Sequence, residues 1–158
     1  MYSSPEKLPD GRYFVRADPA FYLQLPSVTV GELGKDEVIL HGNLDKMLEV
    51  DQQLIKDAVE NSVAWFSKQI SQEVIHNYYQ SAVEDSTVQV PSHKPVFFGI
   101  NKEVTKTPPA SGSVCAVLLQ LEGLWFLKRS FGPVWKLVQV RERRQVEPVK
   151  CLIDSDGE

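Results

Sequence analysis

The sequence predicts a mainly β protein with inserted helices, its strands closing into a small, strongly bent barrel. Short β-branched and aromatic segments, punctuated by Gly and Pro, fill the chain before residue 43 and after residue 95. Between them, Leu44 to Phe66 carries the clearest helical periodicity. Gly123 interrupts the longest apolar segment, where a small barrel must bend its strands sharply. The order strands, helix, strands, with no internal repeat, disfavours a parallel βαβ sheet.

The first ten residues hold two prolines and little apolar content, which predicts a flexible arm over 1–10. A single domain follows over 11–150, then a short acidic tail over 151–158. Arg12-Tyr-Phe-Val15 and Phe21-Tyr-Leu-Gln-Leu25 read as short strands separated by Asp18-Pro19, with Ser27 to Val30 continuing the second beyond Pro26. Val38 to Leu40 is a further strand, and Gly31, Gly34 and Gly42 mark turns. Leu44, Met47, Leu48, Leu54, Ile55, Ala58, Val59 and Phe66 give the long helix one buried face, with Asn43 as its cap. After a turn at residues 68–71, Ser71 caps a shorter helix running to Gln80. Pro91 and Pro95 bracket a loop, Val96 to Ile100 is a strand with a glycine defect, and residues 101–112 form another loop. Val114 to Lys128 and Val134 to Arg141 are the last strands.

A chain of 158 residues suffices for one core, and no run approaches the roughly 18 apolar residues of a membrane helix. The N-terminus lacks the basic and apolar blocks of a secretory signal, so the expectation is a soluble intracellular protein that is not secreted. Cys115 and Cys151 lie far apart, which fits a reducing compartment and argues against a disulfide framework or zinc. Enzyme chemistry lacks its usual marks: there is no phosphate loop, and His41, His76 and His93 stand isolated. Cys115 sits among aliphatics as a buried, inert thiol. The expectation is a non-enzyme without metal or cofactor.

The net charge is −4, yet its distribution is uneven. Between Lys128 and Lys150 stand seven cations against two acids, and between Glu32 and Glu60 eight acids against three lysines. The basic region overlaps the most informative stretch, Gly123 to Lys136, which reads as two strands joined at a tight turn set by Gly132-Pro133. Trp125, Phe126, Phe131 and Trp135 offer flat rings there, and Lys128, Arg129, Lys136 and Arg141 offer partners for phosphate. Stacking faces beside cations suit unpaired nucleic acid. The competing reading is a hairpin whose tryptophans fill a core. Alternation places Trp135, Leu137, Gln139 and Arg141 on one side and Val134, Lys136, Val138 and Val140 on the other. The aliphatic set looks like barrel filling, which would turn Trp135 and Arg141 outward, but alternation alone leaves the inside undecided. Trp65, on the helix, is assigned to packing.

The pattern Val59 to Ile75, followed by Gly-Leu-Trp-Phe (123 to 126), Phe-Gly-Pro-Val-Trp-Lys (131 to 136) and Gln139, is similar to the single-stranded-DNA-binding proteins of nucleocytoplasmic large DNA viruses. Those resemble in turn the single-stranded-DNA-binding proteins of short-tailed phages. The resemblance runs from about Phe21 to Arg141 and is most specific in Ser62 to Phe66 and the two tryptophan-bearing strands. It implies an OB-fold-like five-stranded barrel with a long and a short helix between strands. It also implies non-catalytic, sequence-independent binding of single-stranded DNA in viral replication, recombination or repair, in the host nucleus or a cytoplasmic viral replication site. The phage relatives contact replication proteins through an acidic tail ending in an aromatic. Here Asp154 to Glu158 is acidic but short and has no aromatic, and the strand around Val38 to Leu40 is shorter than the family pattern. The alternative from another class is a protein-interaction module, a virion or host-factor adaptor using the aromatic-rich hairpin.

Overall fold

The computed structural model describes residues 2–33, 36–92 and 95–143. The elements are β1 (Glu6–Lys7), β2 (Tyr13–Leu33), β3 (Glu37–Gly42), α1 (Asp45–Glu60), α2 (Ser62–Phe66), α3 (Gln72–Tyr78), β4 (Val83–Glu84), β5 (Thr87–Pro91), β6 (Val96–Phe98), β7 (Val104–Thr105), β8 (Ser113–Phe126) and β9 (Phe131–Glu142). The chain is thus mainly β with inserted helices. Among the described residues the strands form one sheet in the order β4-β5-β3-β2-β8-β9-β6-β7, with β1 added alongside β2. Pairing is antiparallel except between β6 and β9.

The sheet does not close, in contrast to the expected five-stranded barrel. β5 approaches β9 along a seam lined by Gln89, Pro91, Pro133 and Val134. Neither proline has an N–H to contribute to a ladder, so the approach stays one of side chains.

Several elements differ from the sequence reading for local reasons. β2 runs unbroken through Asp18-Pro19 and Pro26, because register shifts between Arg16 and Phe21 and between Leu25 and Val28 absorb both prolines. The helical stretch divides at Asn61, whose Nδ2 donates to the Asp57 carbonyl at 2.8 Å. Ser71 caps α3 as predicted, its Oγ accepting from Val74 N at 3.3 Å, whereas the cap position of α1 is Leu44 and not Asn43, which stands one residue earlier with its Oδ1 accepting from Asp45 N at 3.0 Å. Residues 2–10 lie against the domain rather than standing off as an arm. β1 pairs with β2, and Tyr2 meets the Trp65 ring at 5.0 Å while its hydroxyl donates to Asp57.

One core joins the inner face of the sheet to the helices. Leu25, Leu40, Val88, Leu119 and Leu137 meet Met47, Leu54 and Ile75 there. At the hairpin end of the core, Trp65 and Phe66 of α2 stand edge-on over Phe126 at 5.5 and 5.4 Å. Phe126 in turn stacks on Phe131 with centroids 5.4 Å apart. Trp65 therefore packs, as its helical position predicted.

Asp51 is the one acid of α1 that is buried. It accepts hydrogen bonds from the hydroxyls of Tyr79 and Ser81. Burial pushes its carboxyl above the usual range, and the two hydroxyls only partly offset that rise. A carboxyl whose folded pKa exceeds its unfolded value stabilises fully below the unfolded value, and the contribution is lost as pH rises through the folded one. Asp51→Asn keeps an acceptor for Tyr79 but cannot ionise. Its melting temperature relative to the unsubstituted protein is expected to be more favourable at about pH 7 than at about pH 4. An equal difference at both pH values in thermal melts would contradict this.

Candidate nucleic-acid interface

Two bulges decide which side chains look outward from the central strands. Gly123 pairs with Val134 while Leu121 pairs with Trp135, so Glu122 is an extra residue in β8. Leu118 pairs with Gln139 and Leu119 with Leu137, so Val138 is an extra residue in β9. A bulge resets alternation. Trp135 and Leu137 point inward before it and Val140 after it, which leaves Lys136, Gln139 and Arg141 together on the outer face.

Rows across the sheet then follow from the register. Tyr22, Gln120 and Lys136 form one row. Gln24, Leu118, Gln139 and Val96 form the next, and Ala116, Arg141 and Phe98 the third. Toward the hairpin tip the same face continues through Arg16, Gly123 and Val134 to Phe14, Trp125 and Gly132. From Trp125 to Ala116 the face is roughly 30 Å long at strand rise.

Of the residues the sequence singled out, Lys136 and Arg141 lie on this face, and so does Trp125, which is half-buried. The Trp125 indole sits close over Gly132, where a Cβ would come within 2.9 Å of its Nε1. With Phe14 and Arg12 it lines an apolar groove of about 460 Å³. Lys128 and Arg129 are exposed at the hairpin tip, where Leu127 N donates to Ser130 O at 2.8 Å. The tip is therefore residues 127–130, and Gly132-Pro133 lies within β9 instead of forming the turn. Pro133 is tolerated in the strand because its nitrogen faces away from β8. Two residues earlier on that side, the Phe131 carbonyl accepts from Gln80 N at 2.8 Å.

Phe126, Phe131 and Trp135 are corrected from stacking candidates to core. They are 4%, 0% and 3% exposed. Phe126 and Phe131 face α2, and Trp135 falls on the inner side of β9 because the Val138 bulge, not simple alternation, brings Arg141 outward. The Trp135 Nε1 has no acceptor among the described residues, so its burial rests on the packing of the ring.

Sequence reasoning missed the aromatics that do face outward. Tyr22 is 53% exposed in the middle of β2, and Phe98 lines a cleft on β6. Tyr22 and Gln24 alternate with Leu23 and Leu25, a signal that assigning faces to Phe21 to Leu25 would have used. Lys102, four residues beyond Phe98, lines the same cleft.

Three of the cations on this face, Lys102, Lys136 and Arg141, have no carboxylate partner among the described residues, where the only ion pairs are Arg12 with Asp10 and Arg16 with Glu6. Arg143 is tied to the Pro26 carbonyl at 2.9 Å. Cys115, on the inner side, is buried, and burial with nearby Glu142 pushes its thiol up to about 11. That fits the inert thiol expected from its neighbours. His41 and His76 are exposed, and no three of His, Cys, Asp or Glu gather as a metal-binding group among the described residues. His93, Arg144, Lys150, Cys151 and the acidic end lie outside the described residues.

Solved structures share this fold. The single-stranded DNA-binding protein from bacteriophage Enc34 superposes with a TM-score of 0.51 at 10% identity, covering 98% of this chain and 96% of that one. Gp2.5, a single-stranded DNA binding protein encoded by bacteriophage T7, gives 0.52 at 10% identity over 85% and 98% of the two chains. At that identity the likeness is one of fold, and it makes the open sheet OB-fold-like. A family of unknown function, DUF5871, matches residues 26–150. No curated protein matches the sequence significantly.

Proposed function

We propose that this chain, which belongs to the family of unknown function DUF5871, holds single-stranded DNA as a non-catalytic protein of viral DNA replication, recombination or repair. The observation that carries the reading is the outer sheet face. It sets exposed Tyr22 and the partly covered rings of Phe98 and Trp125 beside Lys102, Lys136 and Arg141, none of them paired with a carboxylate among the described residues. Bases lie on the rings, which is sequence-tolerant because every base has a π-face, and phosphates lie along cations such as Lys102 and Lys136. Lys128 and Arg129 extend the positive charge to the hairpin tip. Among the described residues, duplex DNA finds no helix with a basic face: the exposed charges of α1 include Asp45, Glu49 and Glu60.

The phage proteins of the same fold, named for single-stranded DNA binding, support this reading. The viral setting, at a nuclear or cytoplasmic replication site, is supported by the resemblance carried by Val59 to Ile75 and the two tryptophan-bearing strands. Recruitment of replication proteins through the acidic end belongs to the same proposal.

Lys136 tests it. Binding that neutralises phosphates weakens as salt rises, with a slope that counts contacts. Lys136→Gln is expected to reduce the salt slope of oligo-dT binding by about 0.7, the value for one phosphate on a single strand. An unchanged slope would remove Lys136 from the interface.

A further inference from the structure

We infer that the cleft at the β6 end of the outer face accepts a guanine base in preference to the other three, an inference that rests on the single-strand reading above. The cleft encloses about 240 Å³. Its floor is apolar, formed by Ala116 and Leu118 of β8, and Phe98 of β6 lines one side.

Polar groups converge on it from two strands and a turn: Gln24 from β2, Gln139 and Arg141 from β9, and Lys102 from the turn after β6. Gln24 and Gln139 both pair with Leu118, one on each side, so their backbones stand roughly 10 Å apart across the sheet. Both side chains line the cleft, and two carboxamides carried at that backbone separation can flank one base. Arg141 lies two residues beyond Gln139 on the same face, roughly 7 Å along β9, and pairs directly with Phe98. None of the side chains of Gln24, Gln139 and Arg141 has a hydrogen-bond or ion-pair partner among the described residues. Lys102 is held over the same cleft by a tight turn in which its N donates to Gly99 O at 2.9 Å and Gly99 N donates to Glu103 O at 2.8 Å.

The donor and acceptor inventory selects the base. A guanidinium has donors only, arranged as a fork that matches two adjacent acceptors, and guanine presents O6 and N7 in that arrangement. Adenine offers N7 beside an N6 donor, which the fork cannot use. Guanine's N1–H and N2–H₂ remain for the carboxamide oxygens of Gln24 and Gln139, and all of these edges are open in an unpaired strand. Cytosine offers the fork its N3 and O2 but only the N4 amino group to the two carboxamides, and thymine has no two adjacent acceptors, so both pyrimidines bring fewer groups than guanine. Arg141 thereby serves a base edge here rather than a phosphate, and Lys102 takes the adjoining phosphate.

A bound strand can slide until its preferred base reaches the cleft, so one guanine in a thymine tract suffices as probe. Labelled dT₁₂ is titrated by fluorescence anisotropy against the same strand carrying one central dG, dA or dC, at one salt concentration. The dG strand is expected to bind roughly tenfold tighter than dT₁₂, the order of one bidentate base contact, with dA and dC close to dT₁₂. In Gln139→Leu and in Arg141→Met the ratio of dG-strand to dT₁₂ affinity should fall toward one. Equal binding of the dG strand and dT₁₂ by the unsubstituted protein would overturn the guanine cleft and leave the single-strand reading standing. An undiminished ratio in both variants would overturn it too, and no binding to any strand would overturn both.

Discussion

Phe131→Ala is expected to destabilise the protein by about 3 to 5 kcal/mol, a large fraction of the 5 to 15 kcal/mol that usually holds a domain together. The ring is fully buried, stacked parallel and offset on Phe126 with centroids 5.4 Å apart, and meets Phe66 and Tyr79 edge-on at 5.5 and 5.2 Å. Truncation removes the central ring of the cluster beneath α2, and collapse is opposed by the strand pairing on which Phe131 sits. Urea melts should show the loss as a lower midpoint with an unchanged slope. Tyr22→Ala is the contrast, since its ring is half exposed on the outer face. It should leave the melt nearly unchanged while weakening oligo-dT binding by about 1 to 3 kcal/mol. A Phe131→Ala protein of full stability that has lost DNA binding would reverse the assignment of these two rings.

The second large effect is expected at Gly123. A Cβ there would lie 2.0 Å from the Val15 carbonyl oxygen and 2.9 Å from the Val15 carbonyl carbon, which are backbone atoms and cannot rotate away. Gly123→Ala must therefore force β2 and β8 apart beside the Glu122 bulge, where their pairing resumes with Arg16. A cost of about 3 kcal/mol or more follows from inserting a methyl where packing is already complete. Gly112→Ala separates this effect from conformational preference. Gly112 has a φ of +89° with nothing within 4 Å of its notional Cβ, so only the left-handed backbone opposes the change, at about 1 to 2 kcal/mol. Equal costs at the two glycines in denaturant melts would mean that close approach at Gly123 is not what fixes it.

What the sequence made legible is what depends on local periodicity. Leu44 to Phe66 announces most of its buried face through spacing alone, although Leu48 is exposed, and Ser71 caps α3 as a short polar side chain does, whereas the α1 cap falls on Leu44 and not on Asn43. Gly123 stood out as a glycine in a long apolar strand, and the structure places it beside the Glu122 bulge, against the Val15 carbonyl. β5 escaped notice because Pro91 and Pro95 read as loop punctuation, although Val88 and Val90 alternate with polar neighbours. The site was less legible than the fold. Whether Trp135 or Lys136 faces outward turns on the Val138 bulge, a non-local consequence of how β8 and β9 pair. The aromatic signal in the hairpin was strong, but most of it belonged to packing under α2. Phe98 reaches the face only because β6 pairs in parallel with the end of β9, a contact that no short window of sequence contains.

The central claim is that an outward sheet face carrying Tyr22, Phe98, Trp125, Lys102 and Lys136 holds unpaired DNA. Fluorescence anisotropy with labelled oligo-dT and with a duplex of equal length, each over a salt series, tests it most directly. The expected result is tighter binding to the single strand than to the duplex, weakening steadily as salt rises. Equal binding to both, or no binding to either at low salt, would contradict it.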